Sequence, residues 1–178
     1  DAIGTRHALA PEARIVSLVP SLTALLFDLG LESQVVGRTG YCIHPAPAVR
    51  RTKSVGGPKA INLRTLAALA PTHVVLNIDE NPKAMAEEIA RLGIERIVTH
   101  PIEVDDNLGL YSLLGGLFGR GKEAARLAER FSAARQALAK IARALPARRV
   151  LYLIWMNPWM TTSADTYVSR MLATVNWQ

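Results

Sequence analysis

Arg14-Ile-Val-Ser-Leu-Val-Pro20-Ser-Leu-Thr23, running on into Ala24–Leu29, is the stretch that decides the fold. Ile15–Val19 is an apolar run of strand length, Pro20 breaks it, and a helical stretch follows. Near-continuous apolar runs, unlike alternating ones, mark strands buried on both faces of a parallel sheet. Val35–Val36, His73–Ile78 and Ile94–Thr99 repeat the pattern, each separated from the next by a helical stretch. Ser21 is placed to cap Leu22–Leu29, with Gly30 closing it. Asn62 caps Leu63–Ala70, which Pro71 ends, and Asn81 precedes Pro82 at a first helical position with Gly93 after the last. The series is a doubly wound α/β lobe with a parallel sheet.

The strand–proline–helix unit returns late in the chain. Arg149-Val-Leu-Tyr-Leu-Ile-Trp-Met-Asn-Pro158-Trp-Met-Thr161 precedes a helical Asp165–Ala173, with Val150–Trp155 as the strand. Between the copies the pattern is helical only. Asn107–Phe118 forms one helix, broken by Gly119-Arg-Gly121. From Lys122 to Leu145, Ala124, Leu127, Ala128, Phe131, Ala134, Leu138, Ile141 and Leu145 recur every three or four residues as one helical face. At 1.5 Å per residue that helix is about 36 Å long, a spine between two lobes, and Pro146 stops it. The expected organisation is an α/β lobe over 1–104, a helical linker over 105–146 and the start of a second α/β lobe over 147–178. One strand cannot stand alone, so Val150–Trp155 either adds to the first sheet or begins a second one. Val175–Gln178 carry no terminating signal, and the expectation is a chain that stops inside its second lobe.

Composition narrows the function classes. With 49% hydrophobic and 20% charged residues, the chain has the make-up of a packed globular protein. No run is long and apolar enough for a spanning helix. No leader-like segment opens it, so an export signal is expected to lie outside these residues. The net charge of +6 raises nucleic acid as a partner, but its source is mainly one helix and its exit: Arg120, Lys122, Arg126, Arg130, Arg135, Lys140, Arg143, Arg148 and Arg149. Neither an RNA-binding strand motif nor zinc-finger spacing accompanies them, so a solvated helix face is the reading and nucleic acid is not an expected partner. Cys42 is the single cysteine and has no internal disulfide partner.

The order of motifs resembles the substrate-binding proteins of ABC importers, in the class with a helical backbone. The residues that carry the likeness are Arg14–Thr23, Val36-Gly-Arg-Thr-Gly-Tyr-Cys-Ile-His-Pro45, Ser54-Val-Gly-Gly-Pro58, Asn62-Leu63 and Ala68-Leu-Ala-Pro-Thr-His-Val-Val75. Leu92-Gly-Ile94, Tyr152–Trp155 and Pro158–Thr161 continue it. The resemblance implies a periplasmic, or extracellular and membrane-tethered, receptor and not an enzyme. It would carry cobalamin, haem or a ferric siderophore to an ABC-transporter membrane permease. Those would be transported ligands; no cofactor is expected. The cobalamin-binding branch is the most similar. By that resemblance Tyr41 stacks on the ligand, and Trp159 or Met160 faces it from the second lobe. Pro58 stands where some relatives carry an aromatic residue, and Arg64 where the family has a glutamate that pairs with permease arginines.

The residues themselves point to the same end of the sheet, because ligands of parallel sheets sit beyond the carboxyl ends of the strands. Candidates there are Ser21, Tyr41, Cys42, His44, Pro58, Lys59, Asp79, Glu80, His100, Trp155, Trp159 and Met160. Cys42, His44 and His100 offer a thiolate and two imidazoles to a metal, but their spacing matches no closed zinc motif, and loop packing is the plainer reading. His73 opens a strand at the far end and reads as structural. Asp79, Glu80 and His100 also admit a small α/β hydrolase or transferase, although no ordered nucleophile accompanies them. Gly116–Glu123 nearly spells a phosphate-binding loop; Glu123 replaces its hydroxyl and a helix precedes it, so a helix break is the reading.

Overall fold

The computed structural model describes residues 1–178. The chain divides into two compact units, Asp1–His100 with Ser112–Ala124, and Pro101–Tyr111 with Ala125–Gln178.

The first unit is built on a parallel sheet of β1 (Ile15–Ser17), β2 (Val35–Arg38), β3 (Lys53–Ser54), β4 (His73–Asn77) and β5 (Glu95–Thr99), in the order β3-β2-β1-β4-β5. Alternate side chains face opposite sides of a strand. Val16, Leu18, Val74, Leu76 and Val98 pack with Leu66 of α2 (Leu63–Ala68) and with Met85, Ala86 and Ile89 of α3 (Lys83–Arg91). On the other face the Oγ1 of Thr23, in α1 (Pro20–Asp28), donates to Ser17 Oγ at 2.8 Å. There too the His73 ring meets Phe118, just past α4 (Asp106–Leu117), edge to face at 5.6 Å. Helices thus cover both faces, and every residue of β4 is buried. The packing is tight at β2: a Cβ on Gly37 would lie 2.8 Å from Leu69 Cδ1 and 2.9 Å from Val16 Cγ2.

Several local expectations change. Ser21 does not cap α1, which begins at Pro20 after an extended Val19; proline at the first helical position has the required φ already and no N–H to satisfy. Pro82 is the residue before α3 and not its first. Its neighbour Asn81 turns inward, accepting from the Asn77 N–H at 2.9 Å and donating to Pro58 O at 2.8 Å. Asn62 does cap α2, accepting from the Thr65 N–H at 2.9 Å, and Gly30 and Gly93 take φ of +71° and +74° beyond their helices. The edge strand β3 has no counterpart among the expected strands.

α5 (Gly121–Ala142) has 22 residues, about 33 Å at 1.5 Å per residue. Its first turn lies in the first unit, where Gly115 of α4 approaches Ala124 so closely that a side chain has no room. Its remainder belongs to the second unit. There Leu127, Phe131 and Leu138 are half-buried, while Ala134 and Ile141 are exposed. Phe131 stands edge-on to Tyr111, with ring centroids 6.0 Å apart. Arg135 Nε donates to Asp105 Oδ1 at 2.9 Å, and this bond holds the exposed Asp105 carboxyl below its ordinary range.

Val150–Trp155 neither joins the first sheet nor forms a buried strand. β6 (Leu153–Met156) pairs antiparallel with β7 (Trp159–Thr161) across a turn at Asn157-Pro158, and all residues of both strands are exposed. The proline that looked like a strand-to-helix break is the hairpin turn, and a two-stranded hairpin covers neither of its own faces. α6 (Tyr167–Ala173) follows, capped by Thr166.

Candidate functional site

The carboxyl ends of the five parallel strands release segments 18–19, 39–44, 55–59, 78–81 and 100. The first of these leads directly into α1. Backbone ties hold the next two together: Gly40 N–H donates to Gly56 O at 2.7 Å, and Val55 N–H to Arg38 O at 2.8 Å. Arg38 stiffens the β2 exit by donating from Nε to Val49 O and from Nη1 to Thr39 O, each at 2.9 Å. Gly56, at φ +123°, makes a turn that L side chains rarely adopt, and a Cβ there would strike Ala60 O at 2.8 Å.

On this scaffold Tyr41 is 67% exposed, a large value for an aromatic side chain with no paired ring. Its Cε2 lies 3.7 Å from the position a Cβ would take on Gly57. The ring therefore lies beside the Gly57-Pro58 backbone. Ile43 on the same loop is also exposed. Cys42 between them points the other way: it is fully buried, its Sγ 3.2 Å from Thr39 Oγ1. His44 is exposed.

A polar group forms one loop further on. Lys59 Nζ donates to Asp79 O at 2.8 Å, and His100 Nε2 lies 3.3 Å from Asp79 Oδ1. The Asp79 N–H donates to Asn77 Oδ1 at 2.8 Å, which fixes the carboxylate's backbone. Lys59, Asp79 and His100 are thus brought together, while Glu80 and Ser21 stand exposed without joining them. Nowhere do three His, Cys, Asp or Glu side chains converge in a way that holds a metal ion.

In the second unit, Trp155 opposes Met160 and Met156 opposes Trp159 across the hairpin. Directly opposed residues share a face, so Trp155 with Met160 and Trp159 with Met156 occupy opposite faces. Trp155 Nε1 donates to Asn157 O at 2.9 Å, and both tryptophans are largely exposed.

His73 lies at the amino-terminal end of the sheet, away from these loops. Its Nδ1 is 2.7 Å from Thr72 Oγ1, its Nε2 is 3.8 Å from Glu95, and burial pushes its pKa below the ordinary value. Sequence reasoning passed over two features. The buried Asn77, Asn81 and Thr99 lock the β4 and β5 exits; Thr99 Oγ1, for example, donates to Leu76 O at 2.9 Å. His7 bridges Asp1 Oδ2 at 3.1 Å and Glu95 Oε1 at 2.6 Å, which straps the first residues to β5. A polar residue beside an apolar run was the only available signal for either.

Comparison with known proteins places this geometry in context. A family model described as periplasmic binding protein matches residues 15–178. Among curated proteins, vitamin B12-binding proteins of Yersinia pestis and Yersinia pseudotuberculosis are 27% identical over 161 residues, covering 90% of this chain. The chain spans 57% of the length of these relatives. Among solved structures, the periplasmic vitamin B12 binding protein of Vibrio cholerae superposes with a TM-score of 0.85 at 20% identity, over 94% of this chain and 66% of that one. A periplasmic heme-binding protein from Roseiflexus sp. RS-1 gives 0.81 at 24% identity, over 92% and 64%. The heme complex of IsdE from S. aureus gives 0.79 at 20% identity, over 94% and 64%. At these identities the structural likeness is one of fold.

Proposed function

We propose a function for a chain that belongs to the periplasmic binding protein family: it forms ligand-contacting surface of a solute receptor, with the loops after β2, β3 and β4 as its wall. The ligand is a cobalamin-like or iron-chelate molecule, handed on to the membrane permease of an ABC importer. The exposed Tyr41 ring beside Gly57 carries the reading. An aromatic face held out to solvent on a loop braced by Arg38 gains burial and stacking when a planar macrocycle covers it. Lys59, Asp79 and His100 add the few polar groups that orient a ligand in such sites. The work of the protein on this reading is capture, without chemistry on the ligand, in the periplasm. Trp155, Trp159 and Met160 are proposed as further contacts. Arg64, exposed in the first turn of α2, cannot make a carboxylate–arginine pair with the permease, so docking on this unit uses other groups.

Titration with cyanocobalamin, haemin and a ferric siderophore, read by intrinsic fluorescence, tests the proposal. Saturable binding of one of the three is expected. Tyr41→Ala should weaken it by roughly two- to tenfold, the worth of one aromatic stack. No saturable binding to any of them would sink the reading. The Asp79–His100 pair supports one alternative, a small hydrolase or transferase. Ester turnover that disappears in a folded His100→Ala variant would favour it.

A further inference from the structure

Besides the strand-end loops, the first unit carries a recess at the opposite end of its sheet. Arg14 immediately precedes β1, Gln34 immediately precedes β2, and these strands are paired neighbours with Ile15 opposite Val35. Both residues therefore issue from the amino-terminal edge of the sheet. Arg120, in the turn between α4 and α5, and Phe118 close the recess, with Glu12 and Ser33 at its rim. Its volume is about 450 Å³, within the range of small-molecule sites.

Two side-chain polar atoms in the molecule are buried without a hydrogen-bond partner, and both belong to residues lining this recess. One is Gln34 Oε1, an acceptor; the other is Arg120 Nε, a donor. Buried polar groups are normally satisfied, so two unmet groups of opposite character on residues that line one recess are a specific signal. The charge is unbalanced as well. Arg14 donates only to backbone carbonyls, from Nε to Ala70 O at 3.0 Å and from Nη2 to Leu69 O at 2.6 Å. Arg120 has no carboxylate partner. Its backbone is pinned, accepting from the Ala124 N–H at 2.9 Å and donating to Gly115 O at 2.6 Å. That places its side chain at the amino-terminal end of the 22-residue α5, where the helix adds partial positive charge.

We propose that this recess is a second binding site, one that takes a small hydroxylated oxyanion. A carboxylate or phosphate oxygen of the ligand accepts from Arg120 Nε–H, and Arg14 supplies the remaining counter-charge. A hydroxyl on the same ligand donates to Gln34 Oε1. The site lies at the other end of the strands from Tyr41 and does not depend on what the strand-end loops capture.

The Arg120 Nε–H resonance in a ¹H–¹⁵N spectrum is the probe, titrated at constant ionic strength with citrate, glycerol 3-phosphate and sulfate. Citrate and glycerol 3-phosphate distinguish carboxylate from phosphate, and sulfate is an oxyanion without a hydroxyl. The expected result is a saturable shift with one of the hydroxylated ligands and binding of sulfate about tenfold weaker or less. Gln34→Leu should remove that preference, and Arg120→Met, which lacks the Nε–H probe and is read by titration calorimetry, should abolish binding. The backbone amide spectrum checks folding of each variant; if Arg120→Met fails to fold, Gln34→Leu decides. Absence of a saturable shift up to roughly 10 mM overturns the proposal. So does sulfate binding equal to that of the hydroxylated ligands, which would mean an adventitious ion only, and so does a Gln34→Leu variant with unchanged preference.

Discussion

Phe118→Ala tests the packing at the amino-terminal end of the first sheet and the state of the imidazole beneath it. Phe118 is 1% exposed, and its ring meets His73 at 5.6 Å with planes 86° apart. Truncating a fully buried phenylalanine costs about 3–5 kcal/mol, of which the ring pair supplies about 0.5–1.5 kcal/mol. Against a total stability of about 5–15 kcal/mol this is a large share. With a urea slope of about 2 kcal/mol/M, the unfolding midpoint should fall by about 1.5–2.5 M.

The same change acts on pH dependence. Burial is the main reason the His73 pKa lies below the ordinary 6.5, with Glu95 opposing it and His7 reinforcing it. As pH falls below that value the unfolded chain takes up the proton first. The stabilisation held by neutral His73 is therefore complete above the unfolded pKa and is lost as pH falls towards the lowered folded value. With the Phe118 ring gone, water reaches the imidazole, its pKa moves back up and the acid-side loss becomes shallower. Urea unfolding at about pH 7.5 and 5.5, with an NMR titration of the His73 ring, measures both effects. A midpoint shift under about 0.5 M, or an unchanged His73 titration, would refute the account of this contact.

Gly37→Ala should destabilise by about 1–3 kcal/mol, because its Cβ would press on Leu69 and Val16 within a packed face; thermal unfolding reads this, and a neutral outcome would mean that the β2 face yields. Asn62→Ala removes the acceptor for the Thr65 N–H and should cost about 1 kcal/mol, whereas Asn62→Ser should recover most of it; equal melting temperatures for all three proteins would count against the cap.

The strands of the parallel sheet were legible from their buried, mostly apolar residues, which are all of β4 but only 97–99 of β5. His73–Ile78 was expected and His73–Asn77 is observed; Ile94–Thr99 became Glu95–Thr99. A short apolar run alone also fits a buried helix segment, and it is the run's length and the helical stretches flanking it that mark a strand. β3 was invisible because Lys53-Ser54 is a polar, two-residue edge strand whose identity comes only from pairing with Gly37 and Arg38. β7 was hidden because Pro158 gives the same signal at a hairpin turn as at a strand end. In the site, Asp79 and His100 were recognised singly from their place after strands. Their meeting with Lys59 depends on a bond from its side chain to the Asp79 carbonyl, between loops 20 residues apart in sequence, which no local pattern encodes. Tyr41 came from family resemblance, since nothing in its neighbours separates an exposed tyrosine from a packed one.

The strand order β3-β2-β1-β4-β5 has a consequence of its own. The chain leaves β1 towards β2 and β3, then crosses back to lay down β4 and β5 on the other flank, so the connections after β1 and β4 depart in opposite directions. A gap opens between them by connectivity alone, before any side chain is chosen. Its existence is thus insulated from mutation in the loops that line it. On the receptor reading proposed above, exchanging only the exposed Tyr41, Ile43, His44 and Lys59 for the residues of a relative should shift ligand preference while leaving the melting temperature nearly untouched.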